Sequence, residues 1–308
     1  MNPNSSLSAD ELRHVSGSLK RAHMSDHLAT AVFYVVSGAF VLLLIAFTMY
    51  VVWGGIKAFR PEIFSFDANG IGNQFFNTVY LVFLSLVISV PIGIFAGVYM
   101  AEYAPEGRII HALRIAIETL SSLPSIVVGL FGYLVFIIMV GSQWNLFAGA
   151  LAVSVLSLPL ITATTYDALK ALPHGFKEGS LALGATHFET IWKVMLPAAI
   201  GPIVTGIILA AGRGFGEAAA LLYTAGMSTD ISWKVWDITS PVCPLNPFRP
   251  GETLSLQVWA SRTEGVGGAA ADTAAAASAV LMLMVLAFSI GARLISHYIT
   301  KKTEGEHA

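Results

Sequence analysis

The stretch Glu178-Gly179-Ser180-Leu181-Ala182-Leu183-Gly184-Ala185-Thr186-His187-Phe188-Glu189-Thr190-Ile191-Trp192-Lys193-Val194-Met195-Leu196-Pro197 decides the fold of this chain. Its pattern is that of two short helices rather than one. Pro173 opens a helical run from about Phe176, and Gly184 can close it in the left-handed region that glycine enters without steric cost. The chain then restarts. Thr186-His187-Phe188-Glu189 fits a capping box, in which the Glu189 amide donates to the Thr186 hydroxyl and the Thr186 amide donates to the Glu189 carboxylate. The second helix carries Phe188, Ile191, Trp192 and Met195 at amphipathic spacing and is expected to stop near Pro197. Such a pair lies across a membrane face, resting in the headgroup layer or against a partner.

On both sides of this hairpin the chain is written for lipid. Apolar runs of about 20 residues, enough to cross a hydrocarbon core, occupy 29–53, 75–100, 115–140, 146–166, 198–223 and 274–299. They predict an all-α, polytopic membrane protein with six transmembrane helices. Of the 308 residues 55% are hydrophobic and 12% charged, against about 25% charged in a soluble domain, and the mean hydropathy is +0.71. The first run is too long for a cleavable signal peptide and is expected to remain as an anchor. Lysine and arginine set the orientation. With the N-terminus inside, eleven of them fall in inner segments, Arg108, Arg114, Lys170, Lys177 and Lys193 included, against Lys57, Arg60, Lys234, Arg249 and Arg262 outside. Both termini are therefore expected in the cytoplasm. The predicted order is a tail at 1–28, a membrane domain at 29–299 with an inner loop at 173–197 and an outer loop at 224–273, and a tail at 300–308. Trp53, Trp144 and Trp233 then stand near outer span ends, where interfacial aromatics collect. Pro91, Pro124 and Pro159, beside small residues, are expected to break spans two to four and to favour close packing.

Arg213 and Glu217 are four residues apart, and so on one face of the fifth helix. A guanidinium in hydrocarbon costs at least about 2.5 kcal/mol, so the pair must face other helices or water. Two uses fit: an ion pair that fixes helix packing, or a path in which the planar, permanently charged fork of arginine receives an oxyanion. In the second, Glu217 would hold the fork and offset its charge when the path is empty. Glu118 is another carboxylate at membrane depth, near the inner end of the third span. It is expected either to pair with Arg114 at i,i+4 or to contribute to the path.

Several chemistries are excluded. No Gly-x-x-x-x-Gly-Lys-Ser/Thr loop occurs, so the chain has no ATP site of its own, and Gly212, Gly214 and Gly216 lie in an apolar run with no preceding strand to make a dinucleotide loop. A net charge of −2 does not suit nucleic acid. The single cysteine, Cys243, forms no intrachain disulfide or zinc cluster and has no outer histidine to activate it. The eight histidines show no metal-ligand spacing. No metal, cofactor or catalytic residue is expected. An intramembrane enzyme using Glu118, Arg213 or Glu217 is the contrasting reading, and it lacks a serine–histidine or paired-aspartate arrangement.

The hairpin resembles the EAA loop of ABC importer permeases: Glu-Ala-Ala, three residues, Gly, nine residues, Ile, one residue, Leu-Pro. Glu178, Gly184, Leu196 and Pro197 keep that spacing, with Gly179 and Ser180 in place of the alanines and Val194 in place of the isoleucine. The resemblance implies a type I ABC importer permease fold, with Glu178, Gly184, Ala185, Leu196 and Pro197 in a coupling element that docks on a separate cytoplasmic ATPase. Four further segments look like the phosphate transport system permease family, PstA, over about residues 70 to 300. They are Glu-Thr-Leu-Ser-Ser-Leu-Pro-Ser-Ile-Val-Val-Gly at 118–129, Gly-Arg-Gly-Phe-Gly-Glu-Ala-Ala-Ala at 212–220, Leu-Leu-Tyr-Thr-Ala-Gly at 221–226 and Pro-Gly-Glu-Thr-Leu-Ser at 250–255. That resemblance implies half of a translocation path for inorganic phosphate in the cytoplasmic (inner) membrane, with Arg213 as the arginine of the family's fifth-span motif. It also implies a second permease of the PstC type, a dimeric ATPase of the PstB type and an extracytoplasmic phosphate-binding protein of the PstS type. Because the coupling loop is shared among importers, molybdate, sulfate or phosphonate remains open as cargo.

Overall fold

The polar hairpin sits at one end of a helical assembly whose members are bent more often than the hydropathy pattern suggests. A computed structural model describes residues 9–67, 70–105, 107–265 and 268–305, with side chains over 23–67, 70–105, 107–265 and 269–296. The first eight residues of the predicted N-terminal tail and the last three of the C-terminal tail lie outside the described residues. Four helices are long and apolar enough to cross a membrane: His23–Lys57, Gly72–Tyr103, Leu146–Lys170 and Ala269–Ser296. Two bent pairs, Arg108–Ser122 with Ser125–Ile138 at 96° and His187–Ala198 with Ile200–Gly216 at 69°, bring the number among the described residues to six where each pair is taken as one span.

The segment through Val51 and the segment Val52–Ala308 form separate compact units. The first is almost entirely α1 (Ala9–Lys57), a helix that begins inside the expected tail and runs unbroken through the first span.

In the second unit, α2 (Gly72–Val98) passes into a wider π turn at Tyr99–Tyr103, and α5 (Leu146–Lys170) packs along it. Small residues permit that approach: a Cβ on Gly97 would stand 2.6 Å from the Cβ of Thr165. The Ser154 hydroxyl adds a bond across the seam to the Ser85 carbonyl at 3.0 Å. Pro91 and Pro159 lie inside these helices without ending them, a correction to the expected breaks. In a packed membrane helix the carbonyl freed by a proline is accommodated locally, and the alternative of unwinding in lipid is costlier.

Pro124 does break its span. The residue before it, Leu123, is extended at φ −64°, ψ 134°, as a clash with the proline ring requires, so α3 (Arg108–Ser122) ends there and α4 (Ser125–Gly132) leaves at a steep angle. The expected span over 115–140 is thus a bent pair. Helix α3 is amphipathic: Ile110, Leu113, Ile117 and Leu120 form its half-buried stripe, and no residue of it is fully buried. The expected span over 198–223 is also corrected. After the hairpin helices α6 (His174–Ala182), α7 (His187–Thr190) and α8 (Leu196–Ala198), the chain turns into α9 (Ile200–Gly216), breaks at Glu217 and resumes as α10 (Ala219–Thr224). Helix α11 (Leu254–Thr263) follows in the long loop, and α12 (Gly268–Gly305) begins inside the stretch predicted as loop.

Several small apolar clusters replace one large core. Val98, Leu169, Ile191, Met195 and Ile203 join the hairpin to α2, α5 and α9. Leu81, Leu146, Val153 and Leu221 gather around the start of α5.

Candidate functional site

The hairpin is closed by backbone chemistry legible in its residues. Gly184 adopts φ +87°, which lets the Gly184 amide donate to the Leu181 carbonyl at 3.0 Å and the Ala185 amide to the Ser180 carbonyl at 3.2 Å, the paired bonds of a Schellman end. The capping box forms as expected. The Glu189 amide donates to Thr186 Oγ1 at 3.2 Å, and the Thr186 amide donates to Glu189 Oε2 at 3.1 Å. The Lys193 ammonium, 2.9 Å from Glu189 Oε1, acts together with the Thr186 amide and hydroxyl to hold the Glu189 carboxyl at about 2. Ser180 and Thr190 join the two helices through their hydroxyls at 2.9 Å.

This hairpin presents an unfinished surface. Leu183 is 91% exposed and Phe176 46%, and both line an open groove of ≈ 550 Å³ with Ser180, Gly184, Ala185, Glu189, Lys193 and Val194. Apolar side chains thus stand exposed beside the charged Glu189 and Lys193 at this turn. Of the expected coupling residues, Gly184 and Ala185 line the groove, while Glu178 is exposed on α6 outside its lining. Leu196 is buried among the residues that root the hairpin, and Pro197 is exposed in the first turn of α8.

The anchor of the hairpin escaped the sequence. Glu102, in the π turn after α2, has a side chain only 6% exposed; it accepts from Lys177 Nζ of α6 at 2.6 Å and faces His187 Nε2 of α7 at 3.4 Å. The Tyr103 ring meets the His187 ring edge-on, and Trp192 packs on Phe95 and Phe188. A lone acid ending an apolar run was the available signal; its partners, 75 and 85 residues downstream, were not visible.

Arg213 and Glu217 do not share a helical face. Helix α9 stops at Gly216, and Glu217 is extended at φ −72°, ψ 121°. The last turn holds Gly212, Gly214 and Gly216, whose low helix propensity makes it easy to end. The buried Glu217 carboxylate turns forward and accepts from the Ala220 amide at 3.1 Å, capping α10, and its carbonyl accepts from Ser255 Oγ at 2.6 Å. Among the described residues no ion pair or hydrogen bond occupies Arg213. Its side chain is exposed, in line with Thr205, Leu209 and Gly216, while Ile203, Ala210, Gly214 and Phe215 bury the opposite face of α9. Arg213 therefore presents a free guanidinium about 20 Å along α9 from the hairpin.

Glu118 lies in α3, the first member of a bent pair. It is exposed and lines a cavity of ≈ 220 Å³ with Met100, Arg114, Ile117, Ala163, Tyr166 and Asp167. The expected Arg114–Glu118 pair does not form, because the Arg114 guanidinium lies over the Tyr166 ring, 4.6 Å from its centre.

At the opposite end from the hairpin, Arg249 is 1% exposed. Its guanidinium donates to Asn77 Oδ1 at 2.6 Å and to the carbonyls of Cys243, Pro244 and Pro250, and burial lowers its pKa to about 10. It remains charged and folds the long loop around itself, with the buried thiol of Cys243 beside it. Glu252, three residues on, is buried, accepts from Gln74 Nε2 at 3.0 Å and from the Gln257 amide at 2.6 Å, and is pushed up to about 7 by burial, the Gln74 bond opposing the shift. The sequence showed Arg249 only as an outer positive charge.

Comparisons with known proteins give the family and the fold. Residues 89–304 match the family described as binding-protein-dependent transport system inner membrane component. The chain is 40% identical over 286 residues to the probable ABC transporter permease protein YqgI of Bacillus subtilis (strain 168), covering 91% of this chain and 97% of that one. It is 33% identical over 229 residues to the phosphate transport system permease protein PstA of Xylella fastidiosa (strain 9a5c), covering 73% and 74%. A solved bacterial alginate ABC transporter, in complex with an alginate pentasaccharide-bound periplasmic protein, has a chain with the same fold at TM-score 0.65 and 16% identity, covering 91% and 98%.

Proposed function

The chain belongs to the binding-protein-dependent transport system inner membrane component family, and we propose that within it the chain is the permease subunit of an ATP-driven importer of inorganic phosphate. One observation carries this reading: Arg213 is an unpaired guanidinium on the free face of a membrane helix. A charge so placed is costly unless a water-filled path or a ligand faces it, and its fork suits a tetrahedral oxyanion. Likeness to PstA proteins supports phosphate as that anion. The exposed face of α9 would be completed by a second permease of the PstC type, and the groove on 173–197 would seat a dimeric ATPase of the PstB type. A phosphate-binding protein of the PstS type would deliver cargo at the loop of 224–273. The complex would lie in the cytoplasmic (inner) membrane with both termini of this chain inside. Glu217 serves the path indirectly, by fixing the break after α9 that leaves Arg213 at a helix end. Glu118 lines a separate cavity and is at most a contributor near the inner mouth.

The test is Arg213→Gln in the assembled transporter. Phosphate uptake should fall at least about a hundredfold, as loss of a charge-assisted contact of about 3 kcal/mol would cause, with all subunits still co-purifying. Normal uptake by that variant would remove the anion-path role.

A further inference from the structure

We propose that Glu102 is a positioning residue through which the docking hairpin moves the helix beside the anion path. The inference rests on the docking role of the hairpin proposed above. Glu102 belongs to α2's terminal turn and not to the hairpin, yet its single buried carboxylate holds both hairpin helices, Lys177 from α6 and His187 from α7. A hairpin that needed only to be folded already has the Ser180–Thr190 bond and the capping box for that purpose. What Glu102 adds is a charged tether to another element.

That element leads to Arg213. Along α2, Val82 packs with Ala211 and Phe215 of α9, and a Cβ on Gly214, the neighbour of Arg213, would stand 3.4 Å from Val82. From Val82 to Glu102 is about 30 Å of helix that passes Pro91 without ending and is packed along α5, with the hairpin at one end and the turn that carries Arg213 near the other. The other links to α9 are the chain itself, which passes a 69° bend at Ala199, where the helix is interrupted, and the apolar contacts of Ile191 and Met195 near Ile203 at the base of α9. A bent joint absorbs displacement that a packed rod transmits. A shift of the hairpin by its ATPase partner would thus be carried by the Glu102 tether into α2, and by the Val82 contact into the end of α9.

The experiment reads ATP hydrolysed per phosphate imported by the complete transporter in proteoliposomes, for Glu102→Gln, Lys177→Gln, Lys177→Arg and, as a check on docking itself, Gly184→Trp. The tether requires that Glu102→Gln and Lys177→Gln raise the ratio about tenfold, within the usual range of coupling between sites, in complexes that keep all subunits. Lys177→Arg, which preserves the ion pair, should stay within about twofold of the parent. An unchanged ratio in an assembled Glu102→Gln or Lys177→Gln complex overturns the proposal, as does uncoupling by Lys177→Arg as severe as that by Lys177→Gln. If Glu102→Gln fails to assemble, Lys177→Gln decides, since Lys177 is partly exposed and its loss leaves the core intact. If Gly184→Trp alone raises the ratio, docking stands and the tether falls; if none of the four does, both fall.

Discussion

Four glutamates in this chain have four different fates, and surroundings rather than residue type separate them. Glu189 is exposed and held ionised by Lys193 and the Thr186 cap. Glu102 is buried but paired, Glu217 is buried as a cap, and Glu252 is buried between the amides of Gln74 and Gln257 with a pKa pushed up to about 7. The last makes a measurable prediction. Because the folded value lies above the unfolded one of 4.5, the folded chain holds the proton more tightly. Stability is then greatest below about 4.5, falls as pH rises towards about 7 and is level above it, a loss on the order of 3 kcal/mol at most. Glu252→Gln, uncharged throughout, should flatten that slope; melting temperature against pH in detergent checks it, and an unaltered slope would mean that another group is responsible. Sequence marked Arg213 as a charge needing a polar face, but did not show its separation from Glu217. Spacing of four implies a shared face only while the helix continues, and whether three glycines in one turn end a helix depends on what the next residue finds to bond.

Elements follow the same division. The hairpin was readable to single residues because its determinants are local: a glycine able to reach φ +87°, a threonine three residues before a glutamate, a proline at the close. Gly184 also offers a clean perturbation. Nothing lies within 4 Å of a Cβ added there, so Gly184→Trp should cost only the left-handed backbone penalty of about 1–2 kcal/mol, leave the chain inserted, and place a bulky ring in the groove of the hairpin. ATP hydrolysis and transport should then separate, and transport that stays coupled in that variant would argue against docking at 173–197. The bent spans were less legible. A hydropathy window over 115–140 or 198–223 sums apolar residues without regard to direction, so the 96° turn at Pro124 and the 69° turn at Ala199 leave its score unchanged. Pro91 and Pro159 show the converse, since the same residue type kinks or passes according to whether its neighbour is forced extended.

For the whole molecule, small clusters and close glycine contacts hold helices that lipid would otherwise only surround. The long loop depends instead on Arg249, whose bonds to Asn77 and three carbonyls gather residues 243–250 over the start of α2. Cargo choice belongs to this scale. One guanidinium does not distinguish tetrahedral oxyanions, so selectivity must come from the assembled path and the protein that delivers to it. Vesicles holding the complete transporter should take up labelled phosphate in preference to sulfate or molybdate by at least about tenfold, a difference of 1.4 kcal/mol. The reverse preference would move the chain to another anion.

The sequence alone determined the membrane class, the positions of six apolar runs, the caps of the hairpin and the charge at position 213, because each depends on composition or on residues within about one helical turn of each other. Tertiary structure decided which runs bend, that Arg213 stands free while Glu217 caps α10, that Arg249 is a buried organiser, and that Glu102 joins Lys177 and His187. Those outcomes depend on packing and hydrogen bonds between residues far apart in the chain, where one buried partner outweighs any local preference.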